Sequence, residues 1–257
     1  YSGRIDYNDQ VYMPAVFGGI YPQFPLTFVD EAQDLNPVNH EMLNRLIKRR
    51  AIIVGDPYQS IYGFRGAVQS GMEALATAFK TQALDLSVSF RCPSAIVPNS
   101  HWRVPHFKYH REGGHVEHLP EVSATSFPDG CTILCRNNAP LFRLAMQLLA
   151  IGRSVQVAGS DIGLKLIGIM RKLGAEEEPK VQVLGAIDEW EGERIAKGST
   201  SASDLAECMR VFVSHGTNLG QAIRYAEHLF AQQGSLRLMT GHKSKGLEWD
   251  TVYILDE

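Results

Sequence analysis

The chain has 257 residues and a mass of 28.5 kDa, enough for one large domain or two ordinary ones. Hydrophobic residues make up 44% and charged residues 21%, which excludes the disordered, collagenous and coiled-coil classes. A formal charge of -3 excludes coating of nucleic acid by bulk charge, so any nucleic-acid site must be local. Apolar runs such as residues 51–54 and 148–151 fall far short of the roughly 20 residues a helix needs to cross a bilayer. The cysteines Cys92, Cys131, Cys135 and Cys208 are too scattered for a disulfide framework, and the expectation is a reducing, intracellular compartment. The chain opens at Tyr1 with neither initiator methionine nor signal peptide and closes just after the apolar run 251–255, as an interior piece of a longer protein would.

In chain order, residues 26–29 (LTFV) read as a buried parallel strand ending on the acids Asp30 and Glu31. Asn36 and Pro37 read as helix cap and first turn, and Val38, Met42, Leu43, Leu46 and Ile47 recur at helical spacing. The helix is expected to end in Lys48, Arg49 and Arg50, cations that its macrodipole favours. Residues 51–54 form a second buried strand before Gly55, Asp56 and Pro57, which puts Asp30 and Asp56 at the carboxyl edge of one parallel sheet. Residues 84–88 and 131–135 look like strands, 139–151 an amphipathic helix and 154–157 another strand, the alternation of a second α/β unit. Residues 174–234 are acid-rich, with a last strand pattern at 181–184 and helical patterns at 204–213 and 219–232. After this helical insertion, 236–240 and 252–255 return to the sheet.

Two adjacent carboxylates where a strand stops leave the sheet in different directions, so one can hold a hard cation while its neighbour works on a water. By itself such a pair is more often a capping or solvated turn. The loop of residues 55–67 (GDPYQSIYGFRGA) adds weight, because its aromatic rings and guanidinium suit a surface that stacks bases. Tyr62 and Phe64 could equally be anchors beneath the loop, since their spacing fits both.

Residues 26–34 (LTFVDEAQD), 54–67 (VGDPYQSIYGFRGA), 86–93 (LSVSFRCP) and 238–248 (LMTGHKSKGLE) resemble motifs II, III, IV and V of the superfamily 1 helicases of the UvrD/Rep/PcrA type, in the right order. The resemblance implies two partial RecA-like P-loop NTPase lobes with parallel sheets. Residues 1–82 would carry motifs II and III, 83–173 motif IV, 174–234 a reduced accessory insertion and 235–257 motif V. It implies ATP and Mg²⁺ between the lobes, Asp30 holding the metal and Glu31 orienting or deprotonating the attacking water. Gln59 would touch the γ-phosphate, Arg91 would stabilise transition-state charge, and Phe90, in place of the usual tyrosine, would stack on adenine. Glu248, after Gly246 and Leu247, resembles the acid that accepts a bond from the ribose, with Gly246 part of the same nucleotide-binding turn. Tyr62, Phe64, Arg65, Thr240 and His242 would contact DNA.

The implied activity is ATP-driven 3′ to 5′ movement on single-stranded DNA with unwinding at duplex junctions, in company with repair or replication proteins and in the cytoplasm of a bacterial or phage-infected cell. The 257 residues contain no Walker A pattern G-x-x-x-x-G-K-[ST] and no arginine-bearing motif VI, so the chain by itself is expected to be inactive toward ATP. A motor that translocates without unwinding, and a non-enzymatic remnant that binds single strands or a partner, are the other readings. His115, His118, Cys131 and Cys135 mimic a zinc pattern, but Cys131, Ile133 and Cys135 alternate as core positions of a strand do. The basic and aromatic segment 101–111 (HWRVPHFKYHR) could follow a phosphate backbone or form a solvated loop pinned by its rings.

Overall fold

The computed structural model describes residues 5–255 apart from Tyr62, Phe64, Arg65, Val68, Gln69 and Val122. The chain divides into two compact units, Tyr1–His118 and Leu119–Glu257. Residues 83–118 fall within the first of these units.

The first unit opens with α1 (Tyr7–Phe17), where the Asp6 carboxylate accepts from the Asn8 and Asp9 amides and Asp9 reciprocates toward Asp6. Strands β1 (Phe24–Val29) and β2 (Ile47–Ile53) pair in parallel and are joined by α2 (Pro37–Leu46), capped reciprocally by Asn36 and Asn39. Helix and strand meet without a spacer: the Ile47 amide closes the last helical turn on the Leu43 carbonyl, and the same residue begins β2. Lys48, Arg49 and Arg50 are thus exposed strand residues, not the last turn of a helix, and the dipole argument for them does not hold. The expected burial of β1 also fails, with Phe24, Leu26 and Phe28 exposed at 46%, 42% and 70% and Val29 buried. Among the described residues these strands form a two-stranded sheet, which leaves the outward-facing side chains uncovered. α3 (Gly71–Phe79) sets Leu75 against Val29 and Ala32. The strand expected at 84–88 is reduced to β3 (Val88–Ser89), parallel to β4 (Lys108–Tyr109), because Leu84 and Leu86 stand in solvent without a partner strand.

The second unit is a four-stranded, all-parallel sheet in the order β6-β7-β5-β8, built from β5 (Thr132–Cys135), β6 (Val155–Val157), β7 (Leu236–Thr240) and β8 (Val252–Leu255). Helix α4 (Asn138–Ala150) links β5 to β6, and α5 (Ser160–Met170), α6 (Lys180–Ala196), α7 (Ala202–His215) and α8 (Leu219–Ala231) follow before β7. Residues 181–184 alternate like a strand but lie in α6, where Val183 and Ile187, one turn apart, are both buried. The helices of 174–234 share one hydrophobic core with the sheet. At its centre Phe142 of α4 meets Phe212 of α7 and Phe230 of α8, with ring centroids 5.7 and 5.3 Å away. A side chain at Gly163 in α5 would strike the Phe230 ring at 2.6 Å, so glycine permits the close α5–α8 approach. Cys131 and Cys135 are buried in this core, as the strand alternation indicates. The overall class is mixed α/β with parallel sheets, consistent with RecA-like lobes.

Candidate nucleotide and nucleic-acid sites

In the first unit, Asp30 leaves the carboxyl end of β1 and its carboxylate accepts the Glu31 amide at 2.9 Å. Glu31 then takes a left-handed conformation, φ 50° and ψ 39°, which few non-glycine residues adopt. Both carboxylates are exposed at this turn. Asp30 offers the hard oxygens that a magnesium ion takes, so the residues present fit a divalent cation there.

A residue to which the sequence reading gave no role holds this turn in place. Gln33 is 2% exposed; its amide nitrogen donates to the Glu31 carboxylate, and its amide oxygen accepts the Asp56 backbone N–H at 2.9 Å. The Ser60 hydroxyl donates to the Gln33 carbonyl at 3.0 Å. On the far side, the Gln59 amide donates to Asp56 at 2.7 Å, and Asp56 also accepts the Tyr58 N–H at 2.9 Å. Glu31 and Gln59, 28 positions apart in sequence, therefore belong to one hydrogen-bonded chain through Gln33 and Asp56. Gly55 lies beneath it, where a Cβ would meet the Gln33 amide oxygen at 2.5 Å. Nothing in the sequence pattern singles out Gln33, since its burial depends on partners 23 and 27 residues away.

Phe90 and Arg91 follow β3 in the same unit. Phe90 is 69% exposed, and the His110 ring leans on it with centroids 4.6 Å apart, so one flat apolar ring stands open to a ligand. Tyr62, Phe64 and Arg65 fall outside the described residues.

In the second unit, Thr240 is buried at the carboxyl end of β7, and His242 follows in the short α9 (Gly241–Ser244). Arg136, just past the neighbouring strand β5, brings its guanidinium to 3.2 Å from the His242 Nδ1. The sequence reading missed Arg136, although strand pairing of β5 with β7 places it beside motif V. Lys243 bonds both carboxylate oxygens of Asp161 in α5, at 3.1 and 3.3 Å, and this hydrogen bond holds the Asp161 carboxyl below its usual range. Gly246 turns the chain at φ 80° with open space around it, and the exposed Glu248 follows two residues on. Arg136 gives this edge a cation with hydrogen-bond donors beside the His242 ring, suited to a phosphate backbone.

Parallel α/β sheets, with an acid pair at a strand's carboxyl end in one unit and a basic edge in the other, are consistent with the RecA-like lobe class. Comparison with known proteins agrees. Residues 12–80 match the UvrD/REP helicase N-terminal domain. The F-box DNA helicase protein 1 of Schizosaccharomyces pombe is 28% identical over 278 residues, covering 93% of this chain and 30% of that protein. The F-box DNA helicase 1 of Gallus gallus is 30% identical, covering 90% and 24%. The RecBCD enzyme subunit RecB of Mycolicibacterium smegmatis is 36% identical over 78 residues, 29% of this chain and 7% of that one. Residues 12–80 thus carry the UvrD/REP helicase match, the chain is similar over most of its length to helicases of that superfamily 1 type, and it spans 30% and 24% of the length of the two F-box relatives.

Proposed function

We propose that this chain serves a longer ATP-dependent DNA helicase that moves 3′ to 5′ along single-stranded DNA. The observation that carries the reading is the hydrogen-bonded chain from Glu31 through Gln33 and Asp56 to Gln59. It fixes a general base and a phosphate-sensing amide in one frame, the positioning on which phosphoryl transfer mostly depends. Magnesium, when held by Asp30, supplies charge neutralisation at the phosphates. Glu31 orients or deprotonates water, Gln59 reports the γ-phosphate to the loop that continues into Tyr62, Phe64 and Arg65, and Phe90 lies against the base. Arg91 supplies charge to the transition state, while Gly246 and Glu248 hold the ribose. Thr240 and His242, with Arg136, grip the backbone of the strand. The relatives' names, F-box DNA helicase and RecBCD enzyme subunit RecB, support DNA as the substrate; repair or replication proteins as company and a cytoplasmic setting are part of the same proposal. No helix among the described residues is long and apolar enough to cross a membrane.

Glu31→Gln in the full-length protein tests this. DNA-stimulated ATP hydrolysis should fall about 10²- to 10⁴-fold, the usual contribution of a general base, with single-strand binding retained. Unchanged turnover would remove Glu31 from the chemistry. Strand displacement from substrates with a 3′ or a 5′ tail reads the direction, and translocation without displacement on either would mark a motor that does not unwind. Lacking a phosphate-cradling loop among its 257 residues, the chain alone should not sustain magnesium-dependent ATP turnover. A non-enzymatic binder of single strands or of a partner is the second reading. It would be upheld by a full-length protein that binds DNA and never hydrolyses ATP.

A further inference from the structure

The segment 101–111 is not used by any step above, and its charge is one-sided. It carries Arg103, Lys108, Arg111 and three histidines without a single carboxylate, in a protein whose net charge is -3. Its aromatic side chains are not hidden: Trp102 is 79% exposed. The Arg103 guanidinium lies over the Trp102 ring, 5.2 Å from its centroid, and also over the ring of Tyr58, 5.9 Å away. Tyr58 is itself 55% exposed and stands next to Gln59. Tyrosine, arginine and tryptophan thus form one open ladder of flat faces, two aromatic and one cationic.

The ladder is set in a held loop. His101 Nε2 donates to the Phe107 carbonyl at 2.8 Å, and the Arg103 and Val104 amides both close on the Ser100 carbonyl at 2.9 Å. Beyond it, Lys108 and His110 donate to the Ser87 and Ser89 carbonyls at 2.7 and 2.9 Å. A rigid surface that leaves an indole in water has already met the ordering cost of binding. Its charge selects the occupant: a hydrophobic protein surface would strip water from Arg103 with nothing in return, whereas an unpaired polynucleotide brings both flat bases and a phosphate for each cation. A duplex hides its base faces and would leave the rings unused.

We propose that Tyr58, Arg103 and Trp102 form a stacking platform for single-stranded DNA in the first unit, with Lys108 and Arg111 on the backbone. The proposal rests on the DNA reading above and adds a contact to it. It also gives DNA a second route to the nucleotide site, since Tyr58 and Gln59 share the turn held by Asp56.

The test is fluorescence anisotropy of a labelled oligothymidylate with the intact chain, without nucleotide. Trp102→Ala and Arg103→Ala should each weaken binding about 5- to 100-fold, the span seen for losing one stacked base, while Trp102→Phe stays within about twofold. Because both side chains are exposed, circular dichroism should be unchanged by any of these substitutions. If the chain binds and the alanine variants bind as well as the unaltered protein, the platform is wrong and the wider DNA reading stands. If the chain binds no oligothymidylate, the platform is likewise wrong, and the wider DNA reading is then decided by strand binding and displacement with the full-length protein. Equal, Trp102-dependent capture of polyglutamate would also overturn the proposal, showing a surface that takes any polyanion.

Discussion

The two units are held together by different forces. In the first, the buried apolar residues among those described are Ala15, Val29, Ala32, Leu75 and Val97, and the motif loops are fixed mainly by polar contacts: Gln33 with Glu31, Asp56 and Ser60, and Asn36 with Asn39. In the second, one apolar core runs from Phe127 to Leu238 and takes in the sheet and the helices on it. The loop after β1 that carries Asp30 and Glu31 is exposed, and a loop that stays wet cannot be fixed by burying apolar area. Hydrogen bonds to a buried amide fix it instead, with less total stability and more geometric definition.

The largest effect that would sharpen this contrast lies at the phenylalanine cluster. Phe212→Ala empties a fully buried position and should destabilise the second unit by about 3–5 kcal/mol. Hydrogen exchange followed by mass spectrometry should show the loss in α4, α7 and α8, with β1 and β2 unaffected. Equal loss in both units would mean that a single cooperative core spans the chain.

The contrast also explains how much could be read from sequence. Where apolar periodicity meets a thick core, the pattern sufficed: β7 was expected at 236–240 and β8 at 252–255, and both are found there, while α8 ends one residue before its expected limit. Where the core is thin, periodicity misled. Residues 84–88 alternate as a strand should, yet Leu84 and Leu86 find nothing to pack on. The junction of α2 and β2 carries no glycine or proline, so Lys48, Arg49 and Arg50 read as a helical end. Residues 181–184 show the converse: an alternating tetrapeptide inside a long helix, decided by the burial of Val183 and Ile187 together. As for the site, the acid pair and its place at a strand end were legible because a short motif encodes them. The Gln33 link, the Arg136–His242 contact and the Tyr58–Arg103 stack were not, because each joins residues distant in sequence through side chains that follow no period.

A medium effect is expected at Gln33. Gln33→Ala leaves the Asp56 N–H without its acceptor and should cost about 1–3 kcal/mol, felt first as faster amide exchange at Asp56 and Tyr58. Gln33→Glu would set a carboxylate against Glu31 and should loosen the same turn more at pH 7 than at pH 4, where the repulsion is relieved. Unchanged exchange in both variants would show that the loop is held by something other than this amide, and the polar account of the first unit would lose its main support.

The smallest effect is a difference in acid sensitivity. In α2, His40 is partly buried with its Nε2 lacking a hydrogen-bond partner, and burial holds its pKa below the ordinary value. The unfolded chain therefore takes up a proton first as pH falls from about 6.5, so this contribution to the first unit's stability is complete above that pH and declines below it, through the folded pKa. In the second unit the shifted carboxyls are Asp161 and Glu191, held low chiefly by hydrogen bonds from Lys243 and Arg210. Their contribution is complete above the ordinary carboxylate pKa, about 4, and is lost only as pH falls further. Urea unfolding followed separately in each unit by hydrogen exchange at pH 7.5 and 5.5 should show the first unit weakening between these values and the second holding. His40→Leu, which keeps bulk and removes the titrating group, should abolish the first unit's slope over that interval. A slope that survives the substitution would assign the acid sensitivity to other groups and leave the imidazole of α2 a passive filler.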